Sequence, residues 1–278
     1  MLSVIRLAIL GAFLVSTAIA GVFAFPTSHL SVSFLDVGQG DAILIQGPTG
    51  VQVLVDGGVN QAVLRQLGRE LPFYDRSIDA VIATHSDQDH IGGLRDVVER
   101  YSVEYFFESG AQSNTSAERV LHTALEKKGV SRTLARKGMR MLLGGGAYID
   151  ILFPDRDVSG LETNTASIVA RVVYGDAEFL LTGDSPQSIE RFLVASVGDT
   201  LESDVLKAGH HGSKTSSSLE FVRTVRPQYV VISAGKDNSY GHPHQEVIDT
   251  IRSVGATILG THTHGTVKFF SDGRRVWR

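Results

Sequence analysis

The sequence predicts an α/β fold in which sheets are sandwiched between layers of helix. Three observations carry this. From residue 30 onward, short apolar runs of strand length alternate with segments of helical periodicity. The runs that open and close this region follow one another through Gly-rich turns, as antiparallel hairpins do. A chain of 278 residues, 42% hydrophobic and 20% charged, can also bury a substantial core. No Pro/Gly/Ser-rich linker, short repeat or low-complexity tract divides residues 30–278, which therefore read as one domain.

The N-terminus stands apart. Residues 7–25 are a run of 19 uncharged residues between Arg6 and Pro26, long enough to cross a bilayer as a helix. Ala18-Ile19-Ala20 offers the small-x-small pattern of a signal-peptidase site. Residues 1–26 are expected to be a signal peptide or a transmembrane anchor. With Arg6 on the cytoplasmic side, the rest faces outward, in the periplasm, outside the cell or tethered to the cytoplasmic membrane.

Residues 31–36, 42–45 and 51–55 read as three strands joined at Gly38 and Gly40 and at Gly47-Pro48-Thr49-Gly50. Residues 59–71 read as a helix, 78–83 as a strand, 92–101 as a helix, 103–107 as a strand and 116–128 as a helix. Strands are expected over 132–135, 147–153, 166–174 and 178–181. A helix over 187–195, a strand over 205–208, a helix over 219–225 and a strand over 229–233 continue the alternation. A helix over 244–254 and strands over 257–259 and 266–270 complete it.

The net charge of −4 gives no global attraction to nucleic acid, and the absence of cysteine excludes disulfides and thiolate metal sites. Any metal must sit on imidazole and carboxylate. One basic run, Lys127, Lys128, Arg132, Arg136, Lys137 and Arg140, contains no acid. It reads either as a phosphate contact patch or as a solvated helix end and loop, and the missing aromatic interleaving favours the second.

The chemistry concentrates in Thr84-His85-Ser86-Asp87-Gln88-Asp89-His90, between a strand and a helix. Two imidazoles and two carboxylates on so tight a loop can converge on one or two divalent cations. Val53-Leu54-Val55-Asp56-Gly57-Gly58 and Leu180-Leu181-Thr182-Gly183-Asp184 end apolar strands in an aspartate. Leu206-Lys207-Ala208-Gly209-His210-His211-Gly212-Ser213 ends one in two histidines, and Tyr240-Gly241-His242-Pro243-His244 places two more at a helix start. Each alone is a common turn or a solvated loop. Together they place ligands at several strand ends, which can meet along one sheet edge.

These motifs, with Phe34-Leu35-Asp36-Val37-Gly38-Gln39-Gly40-Asp41, Asn164 and Ser167, resemble the metallo-β-lactamase superfamily, and within it the hydrolase domain of ComEC-type competence proteins. The resemblance spans roughly residues 30–270. It implies a four-layer αββα sandwich with a site for two divalent metal ions between the sheet edges. It makes His85 and Asp87 ligands of a first metal and Asp89 and His90 ligands of a second. Asp184 takes the bridging position and His211 supplies the last imidazole, with His210 as a nearby phosphate contact and the alternative ligand. Asp56 orients ligands from behind. Two departures matter: Asp87 replaces the usual second histidine of the loop, and Asn164 replaces a further histidine, which weakens the first site.

Oxygen donors in place of imidazoles tilt the preference from Zn²⁺ toward Mn²⁺ or Mg²⁺. Two such ions can hold a hydroxide nucleophile and neutralise a phosphodiester during in-line displacement. The predicted catalytic residues are Asp89, Asp184, His210 and His242, and Ser213, Lys214, His242 and His244 are candidates to hold the phosphate or protonate the leaving oxygen. Tyr240 and Lys236 are candidates to reach a nucleotide, although Lys236 reads better as a solvated loop residue. The expected function is a metal-dependent phosphodiesterase acting on DNA. Alternatives are a phosphocholine or cell-wall phosphodiester, or a lactone or β-lactam, the last disfavoured by Asp87 and Asn164. A metal-depleted binding module would have lost several ligands at once, whereas His85, Asp89, His90, Asp184 and His211 are all present. No multi-helix channel accompanies the domain in this sequence, so DNA uptake would call on a separate channel.

Overall fold

A computed structural model describes residues 29–278. The apolar run over residues 7–25 lies outside the described residues, and among those described no helix is long and apolar enough to cross a membrane. Two mixed sheets form the centre. The first contains β1 (Leu30–Phe34), β2 (Ile43–Gln46), β3 (Gln52–Val55), β4 (Ser77–Ala83), β5 (Ser102–Glu108), β6 (Arg132–Leu134), β14 (Val267–Ser271) and β15 (Val276–Trp277), in the order β15-β14-β1-β2-β3-β4-β5-β6. The second contains β7 (Arg140–Gly144), β8 (Ala147–Phe153), β9 (Val169–Tyr174), β10 (Ala177–Leu181), β11 (Val205–Lys207), β12 (Tyr229–Ile232) and β13 (Thr257–Gly260), in the order β13-β12-β11-β10-β9-β8-β7.

Alternation along the strands dictates the layers. Val32, Phe34, Ile43, Ile45, Val53 and Val55 of the first sheet meet Ala170, Val172, Phe179 and Leu181 of the second in the central core. The other face of the first sheet presents Leu44, Leu54 and Val81 to a helix layer: α1 (Ala62–Glu70), the single turn α2 (Gln88–Ile91), α3 (Leu94–Arg100) and α4 (Ser116–Lys128). The second sheet presents Leu180, Leu206 and Val230 to α5 (Gln187–Val197), α6 (Leu219–Val225) and α7 (Gln245–Ser253). A further single turn, α8 (Thr261–His264), precedes β14. The result is the predicted four-layer αββα sandwich. Because both faces of the central strands are covered, they read in sequence as continuous apolar runs.

Strands β3 to β6 run parallel, as do β10 to β13. Their C-terminal ends deliver the loops that carry the histidines and aspartates, the usual place for a site in a parallel sheet. Two local expectations are corrected and one is supported. Arg140–Gly144 is an edge strand that was not expected. The strand expected from residue 166 begins at Val169, because Asn164–Ala166 forms one 3-10 turn. Much of the basic run is already engaged: Arg132 pairs with Glu108, Arg140 with Asp150, and Arg136 donates to the carbonyls of Ser109 and Ala135. That supports the solvated-surface reading over a phosphate patch.

Candidate metal centre

Asp56 follows β3 in a left-handed backbone conformation (φ 58°), and its backbone N–H donates to Ile82 at 2.8 Å. This turns its carboxylate toward the end of β4. One oxygen accepts from the Thr84 backbone N–H at 2.8 Å; the other accepts from the Thr84 hydroxyl at 2.7 Å and from His90 Nδ1 at 2.8 Å. The Thr84 hydroxyl, its hydrogen committed to Asp56, receives His85 Nδ1–H at 3.0 Å. Residues His210 and His211 sit in a tight turn, Gly209–Gly212, both at positive φ (48° and 55°). The reversal sends His211 inward, where its Nδ1–H donates to the Ser233 carbonyl at 2.8 Å, and leaves His210 half-buried.

Three imidazoles thus have Nδ1 tied to an acceptor, which puts a lone pair on each neutral Nε2. His90 Nε2 and His211 Nε2 face one another at 3.3 Å. Asp184 spans them, Oδ1 at 3.3 Å from His90 Nε2 and Oδ2 at 3.2 Å from His211 Nε2, and Asp89 Oδ2 is 3.2 Å from His211 Nε2. Two facing lone pairs repel unless positive charge lies between them, and two carboxylates face the same point. This donor set fits a divalent cation. His85 Nε2 is buried without a hydrogen-bond partner, 3.7 Å from Asp87 Oδ2, and its ring lies 4.0 Å from that of His90. The Asn164 side-chain oxygen is likewise buried without a partner. His85 and Asp87 offer donors for a second position beside His90. Asp87 is more open, its side chain 37% exposed.

Two charged groups that sequence reasoning passed over stand behind the rings. Ligand atoms of Asp41, His90, Asp184 and His211 lie within 4.8 Å of one another. Asp41, however, faces the Nδ1 edges, 3.6 Å from His211 and 3.8 Å from His90. The Nε2 side belongs to Asp89 and Asp184, so Asp41 supports the imidazoles from the rear. Lys207, fully buried at the end of β11, contacts Asp41 at 2.5 Å, the Gly183 carbonyl at 2.8 Å and Asp184 Oδ1 at 3.4 Å. Its only trace in the sequence is a lysine inside an apolar run, Leu206-Lys207-Ala208.

The electrostatics follow from burial and these pairings. Burial disfavours charge on His90 and His211, but Asp184 above all, with Asp56 at the first ring and Asp41 and Asp89 at the second, holds both pKa values well above the usual imidazole range, so a bound cation would take the place of a proton on each Nε2 to reach its lone pair. Burial and then the charge on His90 push His85 down to about 3. Burial raises Asp56 and Asp87. It also works against charge on Asp184 and Asp89, but His211 and His90 win and hold both carboxyls low.

The remaining predicted residues rim the cluster. His210 Nε2 is 3.8 Å from Asp184 Oδ2, and its Nδ1 meets the Thr215 hydroxyl at 3.1 Å. The His242 ring lies 5.6 Å from His210, 6.4 Å from His211 and 4.9 Å from His244. Burial, then His210, lowers the His242 pKa to about 4, so it is neutral near pH 7. His244 Nδ1 accepts from the Lys214 backbone N–H, while the Lys214 and Lys236 side chains are exposed. The Ser213 hydroxyl is buried and accepts from Thr215.

The fold and this donor cluster define a metal-dependent hydrolase of the metallo-β-lactamase type. The family model for the metallo-beta-lactamase superfamily matches residues 35–236, and the chain belongs to that superfamily. It is similar to ComE operon protein 3 of Bacillus subtilis (strain 168), 31% identical over 268 residues, covering 89% of this chain and 34% of that protein. It is also similar to competence protein ComA of Neisseria gonorrhoeae, 31% identical over 252 residues, covering 88% and 33%. The chain therefore spans about a third of the length of these curated relatives. Among solved structures, the metallo-beta-lactamase fold protein YhfI from Bacillus subtilis superposes with a TM-score of 0.58 at 14% identity, over 86% of this chain and 99% of that one, a likeness of fold.

Proposed function

We propose that this protein is a metal-dependent phosphodiesterase that acts on DNA on the outer side of the cytoplasmic membrane. One observation carries the reading: two Nε2 lone pairs and two carboxylates meet at 3.2–3.3 Å, with both Nδ1 edges fixed from behind. The similarity to competence proteins favours a nucleic-acid substrate. Bound Mn²⁺, Zn²⁺ or Mg²⁺ would supply Lewis acidity toward a phosphoryl oxygen and an acidified water. Asp89, His90, Asp184 and His211 would hold one ion; His85, Asp87 and Asn164, with Asp184 between, would hold a second. Asp56, Thr84 and the Ser233 carbonyl fix the imidazole tautomers. His242, neutral at pH 7, is suited to accept a proton or to donate its own N–H to a phosphate oxygen, and His210 and His244 offer ring N–H groups beside it. Oxygen donors at Asp87 and Asn164 favour phosphoryl over lactam chemistry.

The test is hydrolysis of DNA and of bis(p-nitrophenyl) phosphate across Mn²⁺, Mg²⁺ and Zn²⁺. Asp89→Ala and Asp184→Ala are expected to lower the rate by two orders of magnitude or more, on the order of 3 kcal/mol of barrier, with the fold retained. A wild-type protein inert toward both substrates with all three metals overturns the proposal.

A further inference from the structure

We infer that Tyr240 is a stacking platform for an unpaired nucleobase next to the metal cluster. The inference deepens the phosphodiesterase reading and rests on it for the choice of substrate. The Tyr240 ring is 63% exposed. It is nonetheless fixed in place. Its inner face stacks on His242 at 5.6 Å between centroids and 21° between planes, and His242 in turn lies 6.4 Å and 31° from His211. The three rings form a near-parallel series from solvent to the ion ligands.

The loop that carries Tyr240 and His242 is clamped by Asn238. Its side-chain nitrogen donates to the carbonyls of Gly235 and His242 at 2.8 and 2.6 Å, and its oxygen accepts from the backbone N–H groups of Tyr240 and His242 at 3.2 and 3.0 Å. A pre-set ring loses little entropy on binding. Its free outer face suits a base, which supplies a π-surface whatever its identity. The exposed Lys236 of the same loop and Lys214, next to His244 in the structure, add positive charge suited to an anionic backbone. A base inside a duplex has both faces stacked, so the platform selects single strands or strand ends.

The experiment measures binding of the full chain, in EDTA so that nothing is cleaved, to a fluorescent oligothymidylate and to an abasic strand of the same length. Wild type is expected to prefer the oligothymidylate by on the order of tenfold. Tyr240→Ala removes that preference while the abasic strand still binds, and Tyr240→Phe keeps it. Equal binding of both strands by wild type, a preference that survives Tyr240→Ala, or loss of both strands alike in that variant overturns the inference. The two proposals separate cleanly. A protein that shows the preference but hydrolyses no phosphodiester retains the platform and loses the phosphodiesterase; one that hydrolyses without the preference does the reverse.

Discussion

The Thr84 hydroxyl donates to Asp56 and accepts from His85, so one small side chain sets the tautomer of one imidazole and steadies the carboxylate that sets another. Thr84→Val keeps the shape and removes both bonds. Asp56 is fully buried and its pKa is already raised by burial, so losing a donor leaves it poorly paired. His85 can then move its proton to Nε2 and withdraw a ligand. Thr84→Val is expected to weaken Mn²⁺ binding about 10- to 100-fold and to cost about 1–3 kcal/mol of stability, with Thr84→Ser close to wild type. Competition against a fluorescent chelator reads the affinity, and a valine variant that binds Mn²⁺ as wild type does would refute this account of the tautomers.

At the level of elements, the loop between β1 and β2 shows how backbone positions the site. Gly40 (φ 113°) lies so close to α2 that a Cβ there would sit 2.0 Å from the Asp89 carbonyl oxygen, which also receives the Asp41 N–H at 3.2 Å. Gly40→Ala must therefore push Asp89 away. It is expected to lower stability by about 1–3 kcal/mol and metal affinity with it. Gly38→Ala, at φ 82° but with nothing within 4 Å, is expected to cost only backbone strain and to leave metal affinity alone. Equal affinity losses in the two variants, measured by the same chelator titration, would contradict this. Such contacts explain what the sequence made legible. Helix α4 was readable to the residue because Thr115 caps one end and Gly129, left-handed, closes the other. The edge strand Arg140–Gly144 was not, because its apolar run, Met141-Leu142-Leu143, is only three residues long and buries Leu143 alone. The histidines and aspartates at strand ends were visible as motifs. The Asp41–Lys207 pair was not, since a lysine in a strand and an aspartate in a glycine turn acquire meaning only once the two sheets are packed together.

That pair acts on the scale of the whole molecule. Asp41 comes from the loop between β1 and β2 of the first sheet, Lys207 from the second, and both are buried at the junction of the two halves. Burial alone would raise the Asp41 pKa; Lys207, helped by His211 and His90, overrides it and holds the carboxyl at about 2. A carboxylate whose pKa is depressed on folding adds stability above its unfolded value of 3.8 and loses it as pH falls through about 2. Lys207→Met leaves that carboxylate buried beside an apolar chain and is expected to cost about 3–5 kcal/mol near neutrality. In the variant, Asp41 escapes the penalty by taking up a proton, and it does so at a higher pH than in wild type. The stability gap between the two proteins is therefore expected to narrow as pH falls from the ordinary carboxylate range toward 2. Urea unfolding in EDTA at a series of pH values measures it. A gap that stays constant from neutrality to acid would mean that packing of the lysine chain, and not its charge, joins the two sheets.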